Sequence, residues 1–203
     1  PTVPEDISNH LLDVATKLVE LERNVVLGPV TRILQARILA VALMSTKVVD
    51  GNERKTLMNQ WERVTFRIFG LFRKDARTKV GEYVRLAGKI INETEGGSRY
   101  SEIVESLHDL GADYPVADAV NAGLRETKIY EENAEVCRYI LWRYEEHLAT
   151  ESGKGANVDE QLRQDIWHRR ALDSLEHIFP QNPESGGAWE GKMTLARGTW
   201  SPS

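Results

Sequence analysis

The stretch from Pro29 to Thr46 most constrains the fold of this chain. Ile33, Leu34, Ile38, Leu39, Val41, Leu43 and Met44 give it apolar residues on most sides of a helix. A helix apolar nearly all round is usually the central one of a bundle, because no single face can serve as its solvent side. The rest of the chain must therefore supply helices that cover it.

The flanking sequence has that texture. Residues 5 to 24 place Ile7, Leu11, Val14, Leu18 and Leu21 at helical spacing, and Gly28-Pro29 ends that run. Asp50-Gly51-Asn52 is a turn signal. A helix is expected from about Glu53 to Phe72, with Leu57, Trp61, Val64, Ile68 and Phe72 buried. Another is expected from about Asp75 to Asn92 through Val80, Tyr83, Val84, Ala87 and Ile90. Gly96-Gly97 precedes a short helix from near Ser101, and Pro115 opens one reaching about Arg125. The clearest helix runs from about Asn133 to Thr150. Val136, Tyr139, Ile140 and Tyr144 form its inner stripe with either Trp142 or Arg143. Arg138, Arg143, Glu145 and Glu146 mark its outer side.

Beyond it, Glu151 to Asn157 is small and polar and reads as a boundary loop. Residues 170 to 180 then read as a strand stopped by Pro180, with a second, weaker strand near Met193 to Leu195. The expected fold is mostly α. A multi-helix domain of about seven helices spans 1–152, a linker 153–167, and a last segment 168–203.

Composition excludes several function classes. The chain has 203 residues, of which 41% are hydrophobic and 28% charged, as in an ordinary globular protein. A single cysteine, Cys137, rules out an intramolecular disulfide and suits a reducing cytoplasm. No apolar run is long enough to span a bilayer, so a membrane role is not expected. The net charge of −5 argues against a surface that grips duplex DNA everywhere. The missing initiator methionine suggests a piece of something longer.

Against this acidic background, Arg63 to Lys89 carries Arg63, Arg67, Arg73, Lys74, Arg77, Lys79, Arg85 and Lys89 but only Asp75 and Glu82 as acids. This run reads either as a phosphate-binding face on two consecutive helices or as two solvated helix faces. Arg73, Lys74, Arg77 and Lys79 are the candidate DNA contacts within it. Arg169 and Arg170 precede the first expected strand and are further candidates.

No Walker or Rossmann glycine loop, zinc pattern or nucleophile elbow is present. What remains is Glu176-His177 at a strand end. A histidine can take a proton from water near neutral pH. A carboxylate can hold a hard divalent cation against a phosphate. Taken alone, such a pair is more often a solvated surface pair. In an ideal strand the two side chains also point to opposite faces, so a shared site requires a strand end or bulge.

The surroundings add to the pair. Tyr139-Ile140-Leu141-Trp142-Arg143-Tyr144-Glu145-Glu146 is followed, after a loop, by Leu172-Asp173-Ser174-Leu175-Glu176-His177-Ile178-Phe179-Pro180-Gln181-Asn182. This order and spacing resembles the C-terminal HNH (ββα-metal) nuclease domain of the GmrSD/SspE type of bacterial restriction and phage-defence proteins. The resemblance implies that residues 168–203 begin a ββα-metal unit whose later strand and helix this chain does not show. It implies His177 as general base and Glu176 as a metal ligand, with magnesium or manganese as cofactor. It also implies DNA as substrate, and an N-terminal nucleotide-hydrolysing sensor of modified DNA in the same protein. A homo-oligomer is compatible with this reading. A different reading makes the helical domain an interaction or dimerisation module with a degenerate nuclease remnant.

Overall fold

A computed structural model describes residues 3–92, 100–121, 123 and 132–151. The chain divides into two compact units, Pro1–Trp167 and His168–Ser203. The second unit, with its expected strands, lies outside the described residues. All regular structure among the described residues is helical. The order is α1 (Val3–Arg23), a 3-10 turn (Val25–Leu27), α2 (Gly28–Thr31), α3 (Leu34–Ser45), α4 (Gly51–Thr65), a π-helical extension (Phe66–Leu71), α5 (Val80–Asn92), α6 (Tyr100–Leu110), α7 (Val116–Val120) and α8 (Ala134–Glu151).

The central helix is α3, packed on α1, α4 and α5. Gln35, Ala36, Leu39, Ala40, Val41, Ala42 and Leu43 are all buried on it. The expected single helix from 29 to 46 is instead two. Ile33 is extended (φ −85°, ψ 111°) between α2 and α3. In an unbroken helix, residues 30 and 36 would face different directions. The break lets Val30 and Ala36 both reach the core with no exposed surface. It also turns Leu34 and Ile38 outward, at 62% and 39% exposed, against the expectation that they are core.

Helix α4 starts where the turn signal predicts. The Asp50 carboxylate accepts hydrogen bonds from the backbone N–H groups of Asn52 (2.7 Å) and Glu53 (2.8 Å), and Glu53 Oε2 accepts from the Asp50 N–H (2.9 Å). This reciprocal box satisfies donors that the first helical turn cannot pair internally. Asp50→Ala is expected to cost about 1 kcal/mol. Urea unfolding would check this, and an unchanged midpoint would count against the box.

Trp61, Leu57 and Ile68 are buried on α4 and its extension as the periodicity predicts, and the Trp61 indole N–H donates to the Ala36 carbonyl at 3.0 Å. The extension widens to π geometry, and Gly70 lets the Phe66 ring pack close: a Cβ at 70 would lie 2.6 Å from that ring.

Helix α5 begins at Val80, five residues later than the spacing suggests. Arg73 and Lys79 have positive φ (50° and 56°), which ends helical winding at both sides of the intervening loop. Gln35 Nε2 ties that loop down, donating to the carbonyls of Ala76 (2.6 Å) and Thr78 (3.1 Å). Tyr83, Ala87 and Ile90 are buried as predicted, while Val80 and Val84 stay about two-fifths exposed (41% and 43%). Pro115 caps α7, as expected, and the stretch from 124 to 130 lies outside the described residues. No described helix is long and apolar enough to cross a membrane.

Candidate functional site

Helix α8 contains the first half of the Tyr-Ile-Leu…Arg…Glu signature, and its packing explains why two of those residues are there. Tyr139 and Val136 are buried against the core. The Tyr139 ring lies 4.1 Å from the Phe66 ring, tilted by 32°. Its hydroxyl donates to Glu62 Oε1 on α4. The Arg143 guanidinium donates to the same carboxylate oxygen, and also to Glu146 Oε2 at 2.5 Å. It lies 5.5 Å from the centre of the Tyr139 ring.

Glu62 is only 8% exposed, so its charge needs these partners. Burial pushes the Tyr139 hydroxyl pKa up, and the neighbouring Glu62 carboxylate pushes it further. Burial pulls the Arg143 pKa down, but Glu62, Tyr139 and Glu146 outweigh it and hold it above the ordinary value. Arg143 is thus half-buried in an ion-pair network. It faces α4 and so takes the inner of the two places its sequence position left open. Tyr144 goes the other way, at 57% exposed. Trp142 and Ile140 are partly buried against the core, and Cys137 is half-buried.

This network lies on one side of a cleft of about 1010 Å³ between α4, its π extension, α7 and α8. Glu62, Val64, Phe66, Leu71, Ala119, Tyr139 and Ile140 form the inner lining, mostly apolar. Lys55, Arg63 and Arg67 line the same cleft from α4 and the π extension. His108 and His147 are exposed lining residues beside Asp109 and Glu151. The Arg67 guanidinium donates to the Gly111 carbonyl at 3.2 Å. A Cβ at 111 would lie 2.0 Å from Arg67 Nη2, so a side chain there would displace the guanidinium from this contact. Burial lowers the Arg67 pKa, as expected for a cation held away from water without a carboxylate.

The candidate phosphate contacts sit elsewhere. Arg73, Lys74, Arg77 and Lys79 are in the loop before α5, not on two helix faces. Arg73 pairs with Glu132 at 2.5 Å, Arg77 with Asp75 at 2.9 Å, and Lys79 with Asp113 at 2.7 Å. Lys74 and Lys79 approach the Tyr114 ring at 5.8 Å and 5.7 Å. His177, Glu176, Arg169 and Arg170 lie outside the described residues. Among the described residues, no three His, Cys, Asp or Glu side chains converge as a metal site. Sequence reading missed the cleft. Its signal was the recurrence of Lys55, Asn59, Arg63 and Arg67 at four-residue spacing, which puts them on one helix face.

No curated protein and no solved structure matches the chain. A family model does match residues 114–200, and it describes the C-terminal domain of GmrSD restriction endonucleases. The matched stretch takes in α7, α8 and the Glu176-His177 pair. Residues 114–200 of this chain are thus similar to the C-terminal domain of the GmrSD restriction endonucleases.

Proposed function

We propose that this chain is the DNA-cutting arm of a modification-dependent restriction protein acting in bacterial anti-phage defence in the cytoplasm. The observation that carries this reading is the match of residues 114–200 to a restriction-endonuclease domain, with Glu176-His177 inside it. The reaction is hydrolysis of a DNA phosphodiester, most simply a nick in one strand. The His177 imidazole accepts a proton from water as the water oxygen bonds to phosphorus. The P–O bond to the leaving sugar oxygen breaks, and that oxygen takes a proton from solvent. Glu176 offers hard oxygen donors that suit magnesium or manganese. A bound cation would neutralise charge on the phosphate.

Arg169 and Arg170 would steer DNA toward His177. Arg73, Lys74, Arg77 and Lys79 would add phosphate contacts, three of them only after their carboxylate partners let go. An N-terminal nucleotide-hydrolysing domain would sense the modification, whether phosphorothioate or modified cytosine.

The test is nicking of supercoiled plasmid by the full-length protein, with modified and unmodified plasmid compared. Relaxed circles are expected with magnesium or manganese and modified DNA, and EDTA is expected to abolish them. Nicking that persists in EDTA would remove the metal from the mechanism. Absence of nicking under every condition would remove the nuclease reading.

A further inference from the structure

We infer that the cleft between α4, α7 and α8 is a binding site for the DNA phosphate backbone, held by Lys55 and Arg63 with Arg67 at its inner end. That its polyanion is DNA rests on the restriction-nuclease reading above.

The three cations occupy one stripe of a continuous helical segment. Arg63 and Arg67 are separated by roughly 6 Å along the axis, and Lys55 lies roughly 12 Å before Arg63. None of the three has a carboxylate partner among the described residues, whereas three of the four cations in the loop before α5 do. The acids lining the cleft cancel them only in part. Glu62 and Glu146 are both engaged by Arg143 from the opposite wall. The result is a cleft with an excess of positive charge on a chain whose net charge is −5.

A linear polyanion can meet Lys55 and Arg63 at once, with Arg67 adding its charge from the inner end, and each phosphate contact releases condensed counterions. The opposite wall, α7 and α8, belongs to the nuclease-family stretch. This makes DNA the polyanion the chain has reason to meet. The backbone would lie along the rim, where Lys55 and Arg63 are exposed, as are Val116 and Val120 across from them.

The experiment is fluorescence anisotropy of a labelled mixed-sequence DNA duplex of about 20 base pairs with the full chain, in EDTA, across a salt series. Lys55→Glu with Arg63→Glu is expected to weaken binding about 10- to 100-fold and to reduce the slope of log K against log salt by about 2. Arg23→Glu with Lys47→Glu makes the same charge change at exposed positions away from the cleft. It is expected to shift binding less than about 3-fold. Circular dichroism melts of both variants would show that the fold is kept.

Three results would overturn the proposal. In one, the unaltered chain does not bind the duplex at low salt. In another, the two double variants lose binding equally. In the third, the cleft variant binds DNA normally but loses binding of a labelled polyglutamate peptide, which would make the cleft a site for an acidic protein segment. Binding in EDTA does not depend on cleavage. Cleft-dependent binding without any nicking would sink the nuclease reading and leave this one standing. Normal binding and nicking by the cleft variant would sink only this one.

Discussion

Replacing His177 with alanine is expected to lower plasmid nicking by the full-length protein by about 100- to 10,000-fold, the range for losing a positioned general base. The reason is chemical. Water at neutral pH is a poor nucleophile toward a phosphodiester, and the imidazole is the group in the Glu176-His177 pair that can accept its proton near that pH. DNA binding measured in EDTA should be unchanged, because the imidazole acts on the reacting water and not on the backbone grip. Equal nicking by the variant and the unaltered protein would end the assignment. A loss of nicking that accompanies an equal loss of DNA binding would make His177 a contact instead of a base. Glu176→Gln belongs in the same series. If Glu176 is a metal ligand, its loss should be partly recovered at high manganese, which His177→Ala should not be.

Arg143→Met should be the most destabilising of the single changes at the α4–α8 contact. It removes the cation that faces Glu62, a side chain only 10% exposed. The carboxylate keeps the Tyr139 hydroxyl but loses its charge partner. The cost is expected at about 3 kcal/mol, the low end for breaking a buried pair, because Arg143 itself is about a third exposed. For a domain of this size that is a fall in Tm of about 6–12 °C. Glu62→Gln should cost less, since Arg143 keeps Glu146 and some water. The double variant should be more stable than the sum of the two losses implies, by about 1–3 kcal/mol. Strict additivity would show that the pair is a bystander. A drop of less than about 0.5 kcal/mol for Arg143→Met would show that the network does not hold α8 in place.

The two sites are legible in different ways. The role of His177 is what a family resemblance implies, one carried by a helix with Tyr139 and Arg143, a loop, then Glu-His-Ile-Phe-Pro-Gln. The Arg143–Glu62 contact came from the fold. The two residues are far apart in sequence; Arg143 could fall on either side of its own helix, and Glu62 stands off the expected buried stripe of its helix. Hydrophobic periodicity scores a charged residue as outside, because desolvating an unpaired charge is costly. It cannot see that the partner arrives from another helix.

The same limit explains the basic run. Its excess of Arg and Lys was visible in the sequence. Which of those cations keep their charge available was not. Glu132 and Asp113 come from later parts of the chain to neutralise Arg73 and Lys79, while Arg63 and Arg67 meet no carboxylate among the described residues.

The apolar stretch from Pro29 to Thr46 shows both sides of this division. Its composition alone required a buried central helix, and α3 is one. Local chemistry likewise determined the start of α4, because the Asp50 box is made by neighbours in sequence. The break at Ile33 and the outward turn of Leu34 and Ile38 were decided only by tertiary packing. Periodicity states which residues are apolar. Which apolar residues are covered depends on where α1, α4 and α5 come to lie, and that follows from the summed burial of the whole bundle rather than from any one segment.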